Sequence, residues 1–459
     1  MSRFFLLSSN TTTEPYPVYP LGMAIIASAL EFDGHTVFQF DFLASGQSES
    51  EFLSELSRFR PDYIGISIRN IDNVDSLSSE SNWYLGKIKN LIKLVRNKAS
   101  VPVIVGGPAF SIMPEAILEY VGADYGIVGE GEHSICELIK SLSKGKSVPQ
   151  IIRNDNYLSA DRMSLPRLKE ELVHFYMDNS GMINYQTKRG CPQNCLYCTY
   201  PSLEGNRFRC YDPKEIVSHI KKIKKEYNSD SFFFTDSVFN DAAGHYLEFA
   251  EELIRQDAGI RWAGFFRPQG MTSDDLKLLK QAGLYAVESG TDAASDTTLS
   301  GLNKGFCFDD VCAFNRICNA ENIPVAHFII FGGPGETPDT VNEGLINIKK
   351  LDKSVVFAFS GIRILPNTGL YKTALKEKIL SEQDSLLKPV YYFSKSIDPE
   401  KMNKTIETDF SKYKDRIFPP SEGQARIRAL NLLGVHGLLW DLLLRGSPGR
   451  KRVRKRSAK

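Results

Sequence analysis

The chain has 459 residues, which suits two or three domains rather than one. Hydrophobic residues make up 42% and charged residues 24%, as in an ordinary globular protein, and a net charge of +1 gives no general bias towards nucleic acid. No apolar run is long enough to span a bilayer. The opening MSRFFLLSS lacks the apolar region and cleavage site of a signal peptide and reads as a first buried strand. Of eight cysteines, Cys191, Cys195 and Cys198 are clustered, while Cys136, Cys210, Cys307, Cys312 and Cys318 are scattered. That distribution points to metal binding in a reducing compartment, the cytoplasm, rather than to a secreted disulfide framework.

Taken in chain order, short apolar strands are predicted at 3–9, 36–42, 63–68, 101–108 and 125–131. Helices are predicted between and after them at 20–34, 50–60, 83–99, 114–121 and 133–142. This alternation is that of an α/β domain: a flavodoxin-like, doubly wound parallel sheet over residues 1–142. Residues 143–182 lose the period and read as a linker. A second series follows, with strands near 183–190, 231–237, 261–268, 284–290, 325–333 and 356–366 and helices between them. Six such units make a partial (β/α)6 barrel over 183–370, in which chemistry sits at the carboxyl ends of the strands.

Residues 371–459 read as a mostly helical C-terminal region. The segment 425–444 is apolar on one helical face, and 445–459 is dense in Lys and Arg. The pair suits either peripheral contact with the inner face of an anionic membrane or a helix packed on the barrel with a solvated tail. No aromatic residues interleave with the basic ones, so no nucleic-acid partner is expected.

The segment KRGCPQNCLYCTYP contains Cys191-x-x-x-Cys195-x-x-Cys198. Three thiolates at this spacing fit one face of a 4Fe–4S cubane and leave the fourth iron open to a small chelating molecule. Zinc is the competing reading, but a structural zinc site takes four ligands, and Cys210 lies on no familiar zinc spacing. Cys307, Cys312 and Cys318 match no cluster pattern and suit helix packing.

The three-cysteine motif, with Tyr197 before its last Cys, resembles the radical S-adenosylmethionine (SAM) superfamily, and residues 1–142 resemble the cobalamin-binding domain of its cobalamin-dependent subfamily. The resemblance implies a 4Fe–4S cluster on Cys191, Cys195 and Cys198, whose open iron chelates SAM. It implies SAM contacts at Tyr197 beside the adenine and at Thr235 and Asp236 on the methionine ammonium. Further SAM contacts are implied at Glu288 and Ser289, and at Gly332 and Gly333 in the GGPGE turn with Pro334 and Glu336. Arg267 and Arg363 end other strands and suit a carboxylate or phosphate. Cobalamin contacts are implied at Gly22, Ser67, Arg69, Gly106, Gly107, Gly129, Glu130 and Gly131. The loop after the first strand, NTTTEPYPVYPLG, holds no His, so the cobalt is expected to lack a protein histidine below it.

Two domains in this order imply C-methylation of an unactivated carbon, with the 5′-deoxyadenosyl radical activating the substrate. A cobalamin-dependent ring closure or rearrangement, in lipid or other secondary metabolism, uses the same cofactors, and a cobalamin- or SAM-binding sensor without turnover is the reading from another class. The SIRNIDNVD stretch and the C-terminal third loosely resemble the lipid-associated branch. The partners implied are a small-molecule or lipid-like substrate and a reducing donor such as flavodoxin or ferredoxin.

Overall fold

In a computed structural model the chain forms two parallel sheets, each covered by helices; the structure describes residues 1–78, 83–154, 156–437 and 439–445. The first sheet comprises β1 (Arg3–Ser8), β2 (Thr36–Asp41), β3 (Tyr63–Ser67), β4 (Val103–Gly106), β5 (Tyr125–Val128) and β6 (Ile151–Arg153). They pair in parallel in the order β2-β1-β3-β4-β5-β6, with a topological switch at β1/β3. Strand β1 shows why both faces need helices. Phe5 and Leu7 pack with Phe52 and Leu56 on one side, and Phe4 and Leu6 pack with Ala24, Leu30 and Ile135 on the other. Successive side chains of a strand face opposite ways, so a continuous apolar run is stable only when covered twice.

The second sheet begins at β7 (Ile183–Tyr185), followed by a short antiparallel hairpin of β8 (Lys188–Arg189) and β9 (Arg209–Cys210). Then come β10 (Ser231–Phe234), β11 (Arg261–Phe266), β12 (Leu284–Asp292), β13 (Val325–Phe331) and β14 (Ser354–Ser360). A second hairpin pairs β15 (Ile362–Arg363) with β16 (Tyr391–Tyr392), and β17 (Arg416–Ile417) closes the series. The parallel order is β17-β14-β13-β12-β11-β10-β7, and among the described residues β7 and β17 are its edges, so the barrel is open between them.

Several elements differ from the sequence reading for definable reasons. The linker 143–182 contributes β6 to the first sheet and a helix at Glu170–Ser180, whose Tyr176 hydroxyl donates to Asp41 Oδ2 at 3.1 Å. A three-residue edge strand is too short to show periodicity. The single strand expected at 183–190 breaks into β7 and β8, because Asp236 draws the backbone N–H groups of Thr187 and Lys188 towards it at 2.7 and 3.2 Å. The two-residue β17 adds a seventh strand from a region expected to be mostly helical.

The apolar segment 425–444 is two helices, Pro420–Leu432 and Trp440–Arg445, split by Gly434 and Gly437 at φ +77° and +105°. The second helix turns back into the barrel. Trp440 is 2% exposed and packs edge-on against Phe357 and Phe328, filling the lumen on the amino-terminal side of the sheet. Leu432 and Leu433 stay exposed, and most of the basic tail, from Gly446 on, lies outside the described residues. No helix among the described residues is long and apolar enough to cross a membrane.

The loop after β3 ties the two sheets together. Arg363 Nε donates to Asp72 Oδ2 at 2.9 Å, and its other nitrogens donate to the Ile364 and Leu386 carbonyls. Trp83 Nε1 donates to the Leu387 carbonyl at 2.7 Å. Arg363, read from sequence as a ligand-binding group, is thus fully engaged in joining the domains. Both charges are buried, so Asp72→Ala strands a guanidinium in the interior. We expect this substitution to cost about 3–5 kcal/mol, measured by urea unfolding, with Arg363→Met/Asp72→Leu recovering much of the loss.

Candidate functional site

The three clustered cysteines lie on the loop between β8 and β9, and the loop is built to a narrow tolerance. It opens at Gly190, with φ +91°, where a Cβ would stand 2.0 Å from the Arg207 carbonyl oxygen. Only glycine fits there. Cys191 N–H donates to the Gly205 carbonyl, Leu196 N–H to the Leu302 carbonyl, and Asn303 Nδ2 to the Asn194 carbonyl. Cys191 is buried; Cys195 and Cys198 are half-buried. Burial, with a smaller contribution from the neighbouring Cys195 and Cys191 thiols, pushes Cys198 up to about 12. Burial raises the Cys191 thiol too, so these two thiolates are formed against their surroundings, which a bound metal's positive charge accomplishes. Among the described residues no three His, Cys, Asp or Glu converge on one point. Three thiols carried on one loop are the donor set of a cluster in which each thiolate takes its own iron. The donor set fits the cluster.

A charged pair that the sequence did not reveal stands beside this loop. Lys304 Nζ lies 3.5 Å from Cys195 Sγ and forms an ion pair with Asp292. Asp292 ends β12 at φ +60°, and it also accepts from the Tyr197 hydroxyl at 2.6 Å. Tyr197 is thereby tied to the charged pair through its hydroxyl, its ring half-buried. Lys304 sits in SGLNKG, which carries no motif; only the fold brings it 109 residues back to Cys195.

The remaining predicted SAM contacts divide. Thr235 and Glu288 face the barrel lumen: Thr235 Oγ1 donates to the Tyr185 carbonyl, and Glu288 accepts from Tyr16 at 3.4 Å. Asp236 does not face it. Its carboxylate is completely buried and taken by Thr187 N–H, Thr187 Oγ1 and Lys188 N–H. It shapes the hairpin, and the ammonium it faces is that of Lys188, 3.7 Å from Oδ2. Ser289 also points away, into a buried chain running Ser289–Thr291–His327–Asn315. Burial there lowers His327 to about 3, so its ring is neutral. Gly332 takes φ +92° against Phe393, Gly333 follows with Ile362 and Leu302 beside it, and Gly332 N–H donates to Glu336 Oε2. Glu336 also accepts from Thr340 Oγ1, so it closes its own turn. Arg267 lies over the Phe306 ring and donates to the Lys304 carbonyl, packing beneath the charged pair.

At the carboxyl edge of the first sheet, Gly129 has open space around it, its nearest neighbour being Leu203 of the short helix Tyr200–Glu204 after the cysteine loop. Gly22 has nothing within 4 Å, and a Cβ at Gly106 would stand in ordinary contact, 3.5 Å from the Ile127 carbonyl oxygen. Gly107 and Gly131 serve packing: a Cβ would meet the Ile68 carbonyl and Ile26 respectively. Ser67 offers its carbonyl to Ser9 Oγ. Glu130 is not a free ligand group. It accepts from Arg189 at 3.0 Å, from Arg209 at 2.8 and 2.9 Å, and from Leu158 N–H at 2.7 Å.

Arg69 has accessible surface yet is ringed by Tyr16, Tyr84, Tyr176 and Tyr200, and burial lowers its guanidinium pKa. No hydrogen bond or ion pair holds it among the described residues. Nearby, Asn10 Nδ2 and Thr12 Oγ1 are buried without partners. Those orphaned groups, beside uncrowded glycines, fit a large polar cofactor laid on this edge. The sequence reading did not find Asn10 and Thr12, because it examined the loop after β1 only for a His.

Glu288 also carries a measurable consequence. Burial pushes its carboxyl up to about 8. Between the ordinary carboxylate range and that value, the folded protein keeps a proton that the unfolded chain has released, so stability falls as pH rises. We expect Glu288→Gln to raise the melting temperature relative to the parent more at about pH 9 than at about pH 5, by circular dichroism.

Comparison with known proteins agrees with this architecture. Residues 9–139 match the B12 binding domain model, and residues 185–345 match the radical SAM superfamily model. Tryptophan 2-C-methyltransferase of Streptomyces laurentii is 24% identical over 439 residues, covering 79% of this chain and 73% of that one. The radical SAM methyltransferase TsrM of Kitasatospora setae, solved with cobalamin and a [4Fe-4S] cluster, superposes with a TM-score of 0.84 at 24% identity, over 97% of this chain and 98% of that one. The cobalamin-dependent radical enzyme OxsB superposes with a TM-score of 0.70 at 15% identity, over 95% and 72%. The uncrowded sheet edge with its orphaned polar groups, the three-cysteine loop and the two matched domain models make this chain a cobalamin-dependent radical SAM enzyme.

Proposed function

We propose that the protein is a C-methyltransferase that moves a methyl group from SAM, by way of cobalamin, to a carbon of a small-molecule acceptor held in the barrel lumen. The observation that carries this reading is the fixed junction between the two cofactor edges: Glu130, at the cobalamin edge, is locked to Arg189 and Arg209, which flank the cysteine loop. A methyl carrier and a radical source must act on one substrate, and this junction sets their separation. When bound, the cluster supplies the electron that cleaves SAM, and cobalamin supplies the methyl carrier.

The chain's own residues bind and orient. Cys191, Cys195 and Cys198 would hold the cluster. Arg69, Asn10 and Thr12 would meet cobalamin, with Gly22, Gly106 and Gly129 allowing close approach. Thr235, Tyr197 and the Gly332–Gly333 turn are the remaining candidates for SAM. Trp440 and its neighbours Leu439 and Leu443 exclude water from the far end of the lumen. A flavodoxin- or ferredoxin-type donor and a reducing cytoplasmic setting belong to the same proposal, in keeping with eight unpaired cysteines.

The test is anaerobic reconstitution with iron, sulfide and hydroxocobalamin. We expect about four irons and one corrinoid per chain, and a Cys191/Cys195/Cys198→Ala variant that loses iron and keeps corrinoid. Transfer of label from methyl-labelled SAM to corrinoid and then to acceptor supports methyl transfer; iron binding without corrinoid would sink it. Lys304→Met should leave iron content unchanged and move the cluster's reduction potential in the negative direction, by redox titration followed with electron paramagnetic resonance. An ammonium beside a thiolate favours the more negative, reduced state.

A further inference from the structure

The turn before the last described helix presents apolar side chains to water. Leu432 and Leu433 are 83% and 78% exposed, and Val435 beside them is exposed too. Single exposed apolar residues, such as Phe32 or Ile346, are ordinary on a protein surface. Three within four positions form a patch, and patches mark contact surfaces. The fold pins this one in place from both sides. Before it, the helix Pro420–Leu432 lies so close to β14 that a Cβ at Gly423 would stand 2.5 Å from the Phe357 ring. Within it, the Leu433 and Val435 N–H groups both donate to the Leu430 carbonyl. After it, Gly437 abuts Gly181, and Trp440 is sunk in the lumen.

A second, independent feature follows in the chain. Seven of the ten residues 450–459 are Lys or Arg and none is acidic. The remaining residues carry a net charge of −6, so attraction to an anionic surface is concentrated at this end of the chain. The six-residue helix Trp440–Arg445 spans about 9 Å, which tethers the basic run near the leucines. Gly181 lies just before the amino end of β7, so the leucine turn is on the side of the barrel away from the cysteine loop.

We propose that this end of the barrel docks on the surface of an anionic lipid bilayer, with Leu432, Leu433 and Val435 entering the boundary between headgroups and acyl chains and the basic run lying over lipid phosphates. Each element alone binds a membrane weakly, and together they hold a protein there without spanning it. A bilayer satisfies both features at once. A nucleic acid leaves the leucines without an apolar partner, and two copies of the chain meeting through this turn bring two basic runs together. Docking in this pose turns the cysteine loop away from the lipid. The assignment does not depend on the methyl-transfer reading.

The experiment is co-sedimentation of the reconstituted full-length holoenzyme with sucrose-loaded vesicles, made either of phosphatidylcholine alone or of phosphatidylcholine with phosphatidylglycerol. Binding to the anionic vesicles should exceed binding to the neutral ones by roughly tenfold and fall as salt is raised. Leu432→Ser/Leu433→Ser should weaken it by roughly tenfold while melting temperature and iron content stay as in the parent, because both side chains already lie in water. Arg454→Ala/Lys455→Ala/Arg456→Ala should reduce the preference for anionic vesicles and leave the fold unchanged. No sedimentation with the anionic vesicles, equal binding to both kinds, or a leucine variant that binds as the parent does overturns the proposal. So does gel filtration showing that the leucines pair two copies of the chain instead.

Discussion

The structure depends on one buried cluster of charge at the seam between the domains. Glu130 accepts from two arginines, and Arg189 makes a second ion pair with Glu132 at 2.7 Å. Burial alone would lower the Arg189 pKa, but Glu132, then Tyr211 and Glu130, outweigh it and raise it instead. Such an arrangement is specific rather than strongly stabilising, because desolvation consumes most of the Coulombic gain. What it supplies is geometry. A guanidinium fork accepts few orientations of its carboxylates, so the cobalamin edge and the cysteine loop meet in one relation. Asp72 with Arg363 fixes the opposite side of the seam in the same way.

Within that frame the barrel divides its polar groups by direction. Those facing the helical layer are satisfied: Asp236, Ser289, His327 and Glu336 all spend their hydrogen-bonding capacity on the fold. Those facing the lumen or the seam are left short, as Glu288, Arg69, Asn10 and Thr12 show. The contrast separates residues that build the scaffold from residues that await something bound to it, although neighbours such as Glu288 and Ser289 are adjacent in sequence.

The parts legible in sequence were those encoded locally. Strand and helix alternation predicted both sheets, and the cysteine spacing identified the loop, because each depends on residues a few positions apart. Elements of two or three residues, such as β6 and β17, carry too little pattern to be seen. The split of the apolar C-terminal segment was written in Gly434 and Gly437, but the apolar stripe running across them hid it. The pairings that define the site were invisible for a different reason. Glu130 meets Arg189 and Arg209 at separations of 59 and 79 residues, and Lys304 meets Cys195 at 109. Strand alternation could have separated Asp236 and Ser289 from the lumen once Phe233 and Ala286 were known to face it.

The loop after β1 leaves the cobalamin domain, pairs Glu14 with Arg428, donates from Tyr19 N–H to Asn184 Oδ1, and delivers Tyr16 to the barrel interior. A piece of the first domain thus forms part of the barrel's interior. The two domains are therefore not interchangeable cassettes. Grafting a foreign first domain onto this barrel replaces part of the barrel's lining along with the domain, and during divergence a change on one side of the seam constrains what the other side can become.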